Sequence, residues 1–493
     1  MIRITLCVIA ISCLASCTDM LTKEPLGELS LGSAYQTESD AMKALASAYN
    51  PLLNYQGISG YSIYDIAADN AEKGGEGPSD GVFFNEIAYF TLTSTKIVAS
   101  QAWKSSFLGV HRANLVIDNV EGIEMDADQK ARIIAEAKFL RAYYYFTLVT
   151  LFGDVPLITR ADEDRHDLER APKDQVYELI IGDLTQAVEI LPARSELTSA
   201  ELGRVTRGAA QAYLGKVFLY KRDFQNAETW FKQVMDSEEY SLESDYYKLF
   251  TIAGEFGVEN IFEINYTYNP QYATVTTNLN TLRQGSAGMY GYGFANPTED
   301  LIAEFEPGDP RLWQTVYKQG DVMPDGKIAD VGNSETGYMS KKAYLLADEF
   351  PPTGDARHSG KNELLLRYGM LLLWYAEAAN ENGNSEAALT ALNQVRERAR
   401  QGNTSVLPPV TVTDQNALRQ AIWHEQRVEY AMENLRYFDL IRQNRAGEVL
   451  RAYAEKYNTV KGRNFRDGIN ELFPIPQTEI DISQGKLTQN NGY

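Results

Sequence analysis

The most reactive side chains in this 493-residue sequence are three cysteines, and all of them lie near its start. No thiol follows Cys7, Cys13 and Cys17. Arg3 and the apolar run at residues 4–14 have the composition of a secretory leader. This run is about half as long as the ~20 apolar residues that a membrane-spanning helix needs. Removal of the leader would leave Cys17 as a single thiol, which cannot form a disulfide within the chain.

The four residues that end at this cysteine, Leu14 to Cys17 (LASC), resemble the lipobox of bacterial lipoproteins. In such proteins the leader is cut just before the cysteine, whose thiol then receives a lipid. The resemblance implies a signal peptide at residues 1–16 and an acylated Cys17, which would anchor the mature chain because several acyl chains hold firmly. Thr18, rather than aspartate, implies export beyond the inner membrane. An ordinary cleavage site with a chance cysteine is the alternative.

The rest of the sequence carries no recognisable catalytic or metal-binding pattern. The four histidines, His111, His166, His358 and His424, have no metal-ligand spacing. The sequence contains no nucleophile elbow, phosphate-binding loop or dinucleotide fingerprint. We therefore expect a protein that is not an enzyme and that needs no metal and no cofactor. The alternative is a pair of glycoside hydrolase carboxylates hidden among the 67 acidic residues.

The overall composition limits the partners of the chain. Hydrophobic residues make up 44% of it, which is enough for a large core. The formal net charge of −21 disfavours nucleic acids and anionic lipid surfaces, whose binding depends on clustered Lys and Arg. Neutral ligands suit such a chain better, and we expect no nucleic acid partner.

Helical periodicity is the main structural signal. Residues 127–152 predict a helix that stops at Gly153. Residues 208–234 and 371–398 place small and large residues at the offsets of tetratricopeptide helix pairs, with Gly215 and Ala227 allowing close packing. A generic helical hairpin is the alternative. The expected fold is mostly helical, with tetratricopeptide-like pairs as a scaffold.

A loop-rich insertion separates these helix pairs. Residues 240–361 hold 13 of the 36 glycines and 11 of the 30 tyrosines. Within it, residues 260–268 alternate in the manner of a strand, with Phe262, Ile264, Tyr266 and Tyr268 on one face and Glu263 on the other. A Gly-rich loop at residues 72–81 precedes a second aromatic stretch, residues 82–92. We expect irregular loops with minor β-structure.

Six segments, in this order along the chain, together resemble the SusD/RagB family. They are the lipobox, EAKFLRAYYYFTLVTLFGDVPL (136–157), GFANPTEDLIAEFEPGDPR (293–311), LLLWYAEAANENG (371–383), EQRVEYAMENLRYFDLIR (425–442) and LTQNNGY (487–493). The resemblance implies a lipid-anchored protein of the outer membrane that faces the cell exterior. It would bind oligosaccharides and deliver them, uncut, to a SusC-like TonB-dependent transporter. A peptide-binding lid of the same family and a helical-repeat scaffold for protein partners are the alternatives.

The same resemblance suggests a division of the chain. Residues 17–37 would form a lipidated linker, 38–239 an N-terminal helical region, 240–361 the ligand-binding insertion and 362–493 a C-terminal helical region. The scaffold would pack on the transporter and the loops would contact the ligand.

Sugar rings bind to flat aromatic side chains flanked by polar groups. The five tryptophans lie mostly in helical segments and are expected in the core, which disfavours starch as the ligand. Tyr290 and Tyr292 are expected to be exposed, because their glycine neighbours let the rings extend from the chain but do not bury them. Asp69 could instead cap a turn. Phe83 and Phe84 could pack in the core. The candidate ligand-binding residues are Asp69, Asn70, Phe83, Phe84, Asn85, Tyr89, Tyr266, Tyr268, Tyr272, Tyr290 and Tyr292.

Overall fold

A computed structural model describes residues 34–56, 63–271 and 277–493. Cys17, most of the expected linker and Tyr272 lie outside the described residues. Among the helices of those three stretches, none combines the length and the apolar composition that crossing a membrane requires.

The described chain is mostly helical, as expected from the sequence, with three small two-stranded sheets. The α-helices are α1 (Glu38–Tyr49), α2 (Ile63–Ile66), α3 (Val82–Ala88), α4 (Ile97–Val120), α5 (Ala127–Phe152), α6 (Lys173–Ile190), α7 (Arg207–Tyr220), α8 (Phe224–Asp236), α9 (Asn280–Gln284), α10 (Glu299–Glu304), α11 (Leu312–Thr315), α12 (Tyr368–Glu381), α13 (Ser385–Arg400), α14 (Gln415–Glu429), α15 (Arg436–Arg442), α16 (Ala446–Lys456) and α17 (Gln477–Ile482). The strands are β1 (Ala71–Gly74), β2 (Asn260–Ile264), β3 (Phe294–Pro297), β4 (Val316–Lys318), β5 (Tyr338–Ser340) and β6 (Glu363–Arg367). They pair β1 with β3, β2 with β6 and β4 with β5, all antiparallel.

Helix α5 has the bounds that the sequence predicts. The Asp126 side chain accepts a hydrogen bond from the amide of Gln129 and so caps the first turn. Gly153 ends the helix with a positive φ of 71°, which glycine adopts without a steric penalty. The helix packs between α4 and α6, so almost all of its second half is buried.

The two expected helix pairs are present as α7–α8 and α12–α13. A Cβ atom at Gly215 would lie 2.5 Å from the ring of Phe231, so only glycine permits this approach of α7 to α8. Gly383 forms the turn between α12 and α13 with φ of 82°. Helix α8 also packs against α12, which places the two pairs side by side despite the insertion between them.

One large core runs from Ala41 to Leu487 and includes residues of the insertion, among them Phe262 and Phe294. A smaller core lies within the insertion and is built from Tyr317, Met323, Ala329, Val331, Met339 and Tyr344.

Strand β2 is shorter than residues 260–268, and the expected alternation is wrong for Glu263. All five residues of the strand are buried. The Glu263 carboxylate accepts hydrogen bonds from the amide of Phe256 (2.8 Å) and from the Asn362 side chain (3.2 Å). These donors compensate for the loss of hydration, so the residue can face inward.

A buried network of ion pairs joins the insertion to the C-terminal helices. The Arg367 guanidinium lies 2.8 Å from Glu259, 2.6 Å from Glu429 and 2.8 Å from Glu433. Arg311 binds Glu429 at 2.8 Å in the same cluster. Burial would raise the pKa of Glu429, but Arg398, Arg367 and Arg311 together hold that pKa well below its usual range. Several of these charges lie in the segments that carry the family resemblance, and they position the insertion on the scaffold.

Candidate functional site

Two loops that are more than 200 residues apart in sequence meet at the β1–β3 pair. The register places Glu72 opposite Asn296 and Gly74 opposite Phe294, and the Gly75 amide continues the pairing by donating to the Gly293 carbonyl (2.8 Å). Gly74 has φ of 70°, and a Cβ there would lie 2.2 Å from the Gly293 oxygen. The loop at residues 75–81 and the loop at 285–293 therefore form one surface.

Asn296 fixes a third segment at this place. Its side-chain amide donates to the Gly293 carbonyl (2.9 Å), and its side-chain oxygen accepts from the amide of Glu335 (2.8 Å). Asn296 is fully buried, so these bonds determine where the exposed Glu335 lies.

Tyr292 is the most exposed of the candidate tyrosines in the described chain, with 45% of its surface accessible. Its amide donates to the Leu282 carbonyl (2.8 Å), which fixes the backbone but leaves the ring in solvent. Burial lowers the pKa of Arg283 to about 10, and the nearby Tyr292 phenol acts against that shift. Tyr292 also contributes to the raised pKa of Arg357, which is due mainly to Asp355. The Tyr292 phenol thus interacts electrostatically with both guanidinium groups.

Tyr268 lies beside the segment that carries Arg357. Its half-buried ring lies 6.0 Å from that of His358, at an angle of 37°. We call Tyr268, Arg283, Tyr292, Arg357 and His358 the Tyr292 group.

A second group forms around Tyr89, which is half-buried just after α3. Burial raises the pKa of Tyr89, and the carboxylates of Glu72 and Glu335 raise it further. The Tyr453 hydroxyl donates to Glu72 (2.5 Å), and the buried Lys461 ammonium lies 3.8 Å from the same carboxylate. Glu72, Tyr89, Glu335 and Tyr453 form the Tyr89 group, which the β1–β3 pair connects to Tyr292.

Asp69 and Asn70 were candidate ligand contacts, but both are buried and hold the scaffold together. The Asp69 carboxylate lies 2.8 Å from Arg436 and 3.0 Å from Arg427, and these two charges hold its pKa well below the usual range although burial alone would raise it. The Asn70 side chain donates to Asp65 (3.1 Å) and accepts from Arg427 (3.2 Å). Their hydrogen-bonding capacity is used within the protein.

The aromatic stretch after the Gly-rich loop folds as α3 rather than as a loop. Phe84 is buried, with its ring 4.3 Å from that of Phe83 and 5.0 Å from that of Phe294. Phe84 therefore fixes both loops to the core, while Phe83 and Asn85 remain half-buried.

Tyr266 and Tyr290 also differ from the exposed platforms that the sequence suggested. Tyr266 is buried in the large core. Tyr290 is half-buried, its ring lies 5.3 Å from that of Phe350, and its hydroxyl accepts from the Leu345 amide (2.8 Å). Only Gly291 separates Tyr290 from Tyr292, yet the first ring packs inward and the second is exposed.

The tryptophans follow the expectation in part. Trp103 and Trp374 are buried, and Trp230 and Trp423 are half-buried. Trp313 contradicts the expected burial, because the short helix α11 leaves this residue 44% exposed. The Lys318 ammonium lies 5.0 Å from its ring.

Sequence reasoning also missed Glu72, Glu335 and Tyr453. Glu72 belongs to the Gly-rich stretch at residues 72–81, whereas Glu335 and Tyr453 carry no local signal.

The arrangement combines aromatic faces with fixed carboxylates, guanidinium groups and an imidazole. Such side chains bind uncharged, hydroxyl-rich rings by stacking and by hydrogen bonds, and no covalent step is needed.

Comparison with known proteins identifies relatives over the whole length of the chain. The profile described as "SusD family" matches residues 257–493, and that described as "Starch-binding associating with outer membrane" matches residues 76–219. "SusD-like protein P2" of Formosa agariphila is 28% identical over 519 aligned residues, covering 100% of this chain and 99% of that protein.

Solved structures agree with this result. A "Laminarin binding SusD-like protein" superimposes with a TM-score of 0.79 at 28% identity, covering 93% of this chain and 100% of the other. A SusD-like carbohydrate-binding protein from Bacteroides fragilis superimposes with a TM-score of 0.78 at 25% identity, covering 91% and 98% of the two chains.

Proposed function

Because the chain belongs to the SusD/RagB family, we propose that it is an outer-membrane lipoprotein that captures oligosaccharides outside the cell and delivers them to a SusC-like TonB-dependent transporter. The oligosaccharide is bound and passed on without hydrolysis. Cys17 carries the lipid anchor, and the Tyr292 and Tyr89 groups contact the ligand.

The exposed ring of Tyr292, which interacts electrostatically with Arg283 and Arg357 and is connected to the Tyr89 group by the β1–β3 pair, is the observation that carries this proposal. A buried ring could not stack on a sugar, and an isolated exposed ring would lack the polar groups that orient hydroxyls. The relation to a laminarin-binding protein supports glucans as the first ligands to test. We expect dissociation constants of about a micromolar to a millimolar, which corresponds to about 4–8 kcal/mol.

Replacement of Tyr292 by alanine is expected to weaken oligosaccharide binding five- to thirtyfold, a loss of about 1–2 kcal/mol. The melting temperature should barely change, because surface substitutions cost at most about 0.5 kcal/mol. Calorimetric titration with laminarin oligosaccharides of increasing length tests this.

The matched control is Trp313→Ala, which removes an equally exposed ring from α11. We expect this variant to bind as the wild type does. If only Trp313→Ala lost oligosaccharide affinity, the ligand would bind near α11 and not at Tyr292. Selective binding of a peptide mixture would assign the ligand to the other branch of the family, and release of shorter sugars during the titration would indicate an enzyme.

The lipid anchor is tested by Cys17→Ser, in the protein expressed with its own leader. The variant cannot be acylated and should disappear from the outer-membrane fraction, whereas the wild type should carry acyl chains on its first residue. Mass spectrometry of the fractions measures both. Cys13→Ser is the matched control, since its thiol leaves with the leader, and it should be lipidated normally. Membrane attachment of the Cys17→Ser variant would exclude this anchor.

A further inference from the structure

A cavity lies in the helical scaffold, apart from the surface that carries Tyr292. It has a volume of about 120 Å³ and opens between α5, α7 and β6. Helix α5 contributes Tyr143, Thr147 and Thr150 to its wall, and helix α7 contributes Tyr213 and Lys216. These two helices therefore bring tyrosine rings, hydroxyl groups and one ammonium group to the wall.

Lys216 is the unusual member of this wall. Only 8% of the residue is exposed, and its ammonium group makes no hydrogen bond or ion pair with any residue that the structure describes. It lies 5.3 Å from the ring centre of Trp374, 5.4 Å from that of Tyr213 and 5.5 Å from that of Phe146. Rings stabilise the charge but do not satisfy three N–H donors, and a buried ammonium is costly without an acceptor.

The charged groups nearest to Lys216 do not neutralise it. Burial lowers the pKa of Lys216 to about 8, and Asp439 opposes this shift while Arg442 adds to it. Asp439 is already paired with Arg442 at 2.8 Å, and Arg442 also binds Glu377 at 2.7 Å. The charged groups nearest to the Lys216 ammonium, Asp439 and Arg442, are therefore paired with other groups and not with Lys216.

Two carboxylates line the cavity on the side of β6, and both have partners. Glu433 lies 2.8 Å from Arg367 and 2.7 Å from Lys342. Glu363 accepts from the Asn280 side chain at 3.0 Å. Neither carboxylate forms an ion pair with Lys216 in the described structure. Among the described residues that line the cavity, Lys216 is the only cation.

We propose that this cavity is a binding site for a small carboxylic acid with a single aromatic or alicyclic ring. The carboxylate would accept a charge-assisted hydrogen bond from Lys216, and the ring would pack among the tyrosines of α5 and α7. The volume of about 120 Å³ is comparable with, and slightly below, that of the ~150 Å³ cavity that holds benzene, so the cavity has room for one ring and no more. An oligosaccharide chain is too large for this volume, so the site is separate from the proposed oligosaccharide surface.

The test uses the mature protein with benzoate and, as an uncharged probe of the same shape, benzamide. Ligand-observed NMR should detect benzoate, and its affinity should exceed that of benzamide at least tenfold. Lys216→Met keeps the length of the side chain but removes the charge. It should lower benzoate affinity tenfold to about 150-fold, the factor for the 1.5–3 kcal/mol of a charged hydrogen bond. Its oligosaccharide titration should be unchanged, which separates the two proposals.

The pH dependence of the wild type gives a second measurement that needs no variant. Lys216 is protonated below its pKa of about 8, so benzoate binding should be constant at lower pH and decline as pH rises above 8. Equal binding of benzoate and benzamide, binding that Lys216→Met leaves intact, or a pH-independent affinity would each overturn the proposal. Absence of benzoate binding at 10 mM would do the same.

Discussion

Replacing Arg367 by methionine is expected to lower the free energy of unfolding by about 3–5 kcal/mol, the cost of removing one partner from a buried ion pair. Arg367 is fully buried and lies against Glu259, Glu429 and Glu433. Methionine fills much of the same volume, so the main effect is that three carboxylates lose a shared cation. Guanidinium denaturation at pH 7 measures the difference.

The control for this variant is Arg160→Met. Arg160 is exposed and lies 2.9 Å from the exposed Asp162, and such surface pairs add little stability because water screens them. We expect this substitution to be nearly neutral. If Arg367→Met were also within 1 kcal/mol of the wild type, the buried network would not hold the insertion on the scaffold.

The cost of Arg367→Met should depend on pH in a defined direction. The folded-state pKa of Glu429 is depressed, so its stabilisation is present above its unfolded pKa of about 4.3 and is lost as pH falls below that value. The wild type should therefore lose stability on acidification. In the variant these carboxylates gain less from being charged, so the two proteins should differ less at pH 3.5 than at pH 7.

The helical scaffold could be predicted because its determinants are local. The Asp126 cap, the apolar period of α5 and the stop at Gly153 lie within one continuous segment. Gly215 and Phe231 are similarly close in sequence, and their types alone indicate a close helix crossing. In these helices the local preferences and the tertiary packing agree.

The candidate surface could be predicted only in part, because long-range pairing creates it. The sequence indicates two aromatic, Gly-rich loops but not that Gly75 bonds to Gly293. Asp69 and Asn70 looked available because their partners, Arg427 and Arg436, follow more than 350 residues later. Glu335 carries no signal of its own because it lies in a loop, and Asn296, which orients it, lies on β3, 39 residues earlier.

Tyr290 and Tyr292 illustrate the same limit and allow a strong test. The sequence places both residues in a Gly-rich loop and predicts that both are exposed. On that prediction alone, replacing either tyrosine by alanine would leave the free energy of unfolding unchanged. In the structure the ring of Tyr290 packs on Phe350 at 5.3 Å and on Tyr344 at 6.0 Å. Its hydroxyl bonds to the backbone of Leu345 and Ala343 at 2.8 and 3.3 Å. The Tyr290 side chain therefore anchors the loop that presents Tyr292 to the residues packed beneath it, Tyr344, Leu345 and Phe350.

Tyr290→Ala is therefore expected to lower the free energy of unfolding by about 3 kcal/mol, as other large-to-small replacements of aromatic residues do. Tyr290→Phe keeps the ring and leaves the Leu345 amide without its acceptor, which should cost about 1–2 kcal/mol. Tyr292→Ala should be nearly neutral. Thermal and chemical denaturation of the three variants would give this order.

Oligosaccharide affinity should depend mainly on Tyr292, whereas stability should depend mainly on Tyr290. Tyr292→Ala should lose affinity while remaining as stable as the wild type, whereas Tyr290→Phe should lose stability and bind oligosaccharides almost normally. Tyr290→Ala should lose both, because the loop that carries Tyr292 is no longer supported. A Tyr290→Ala variant with wild-type stability would mean that this ring is exposed in solution, and the loop would then offer two stacking faces to the ligand rather than one.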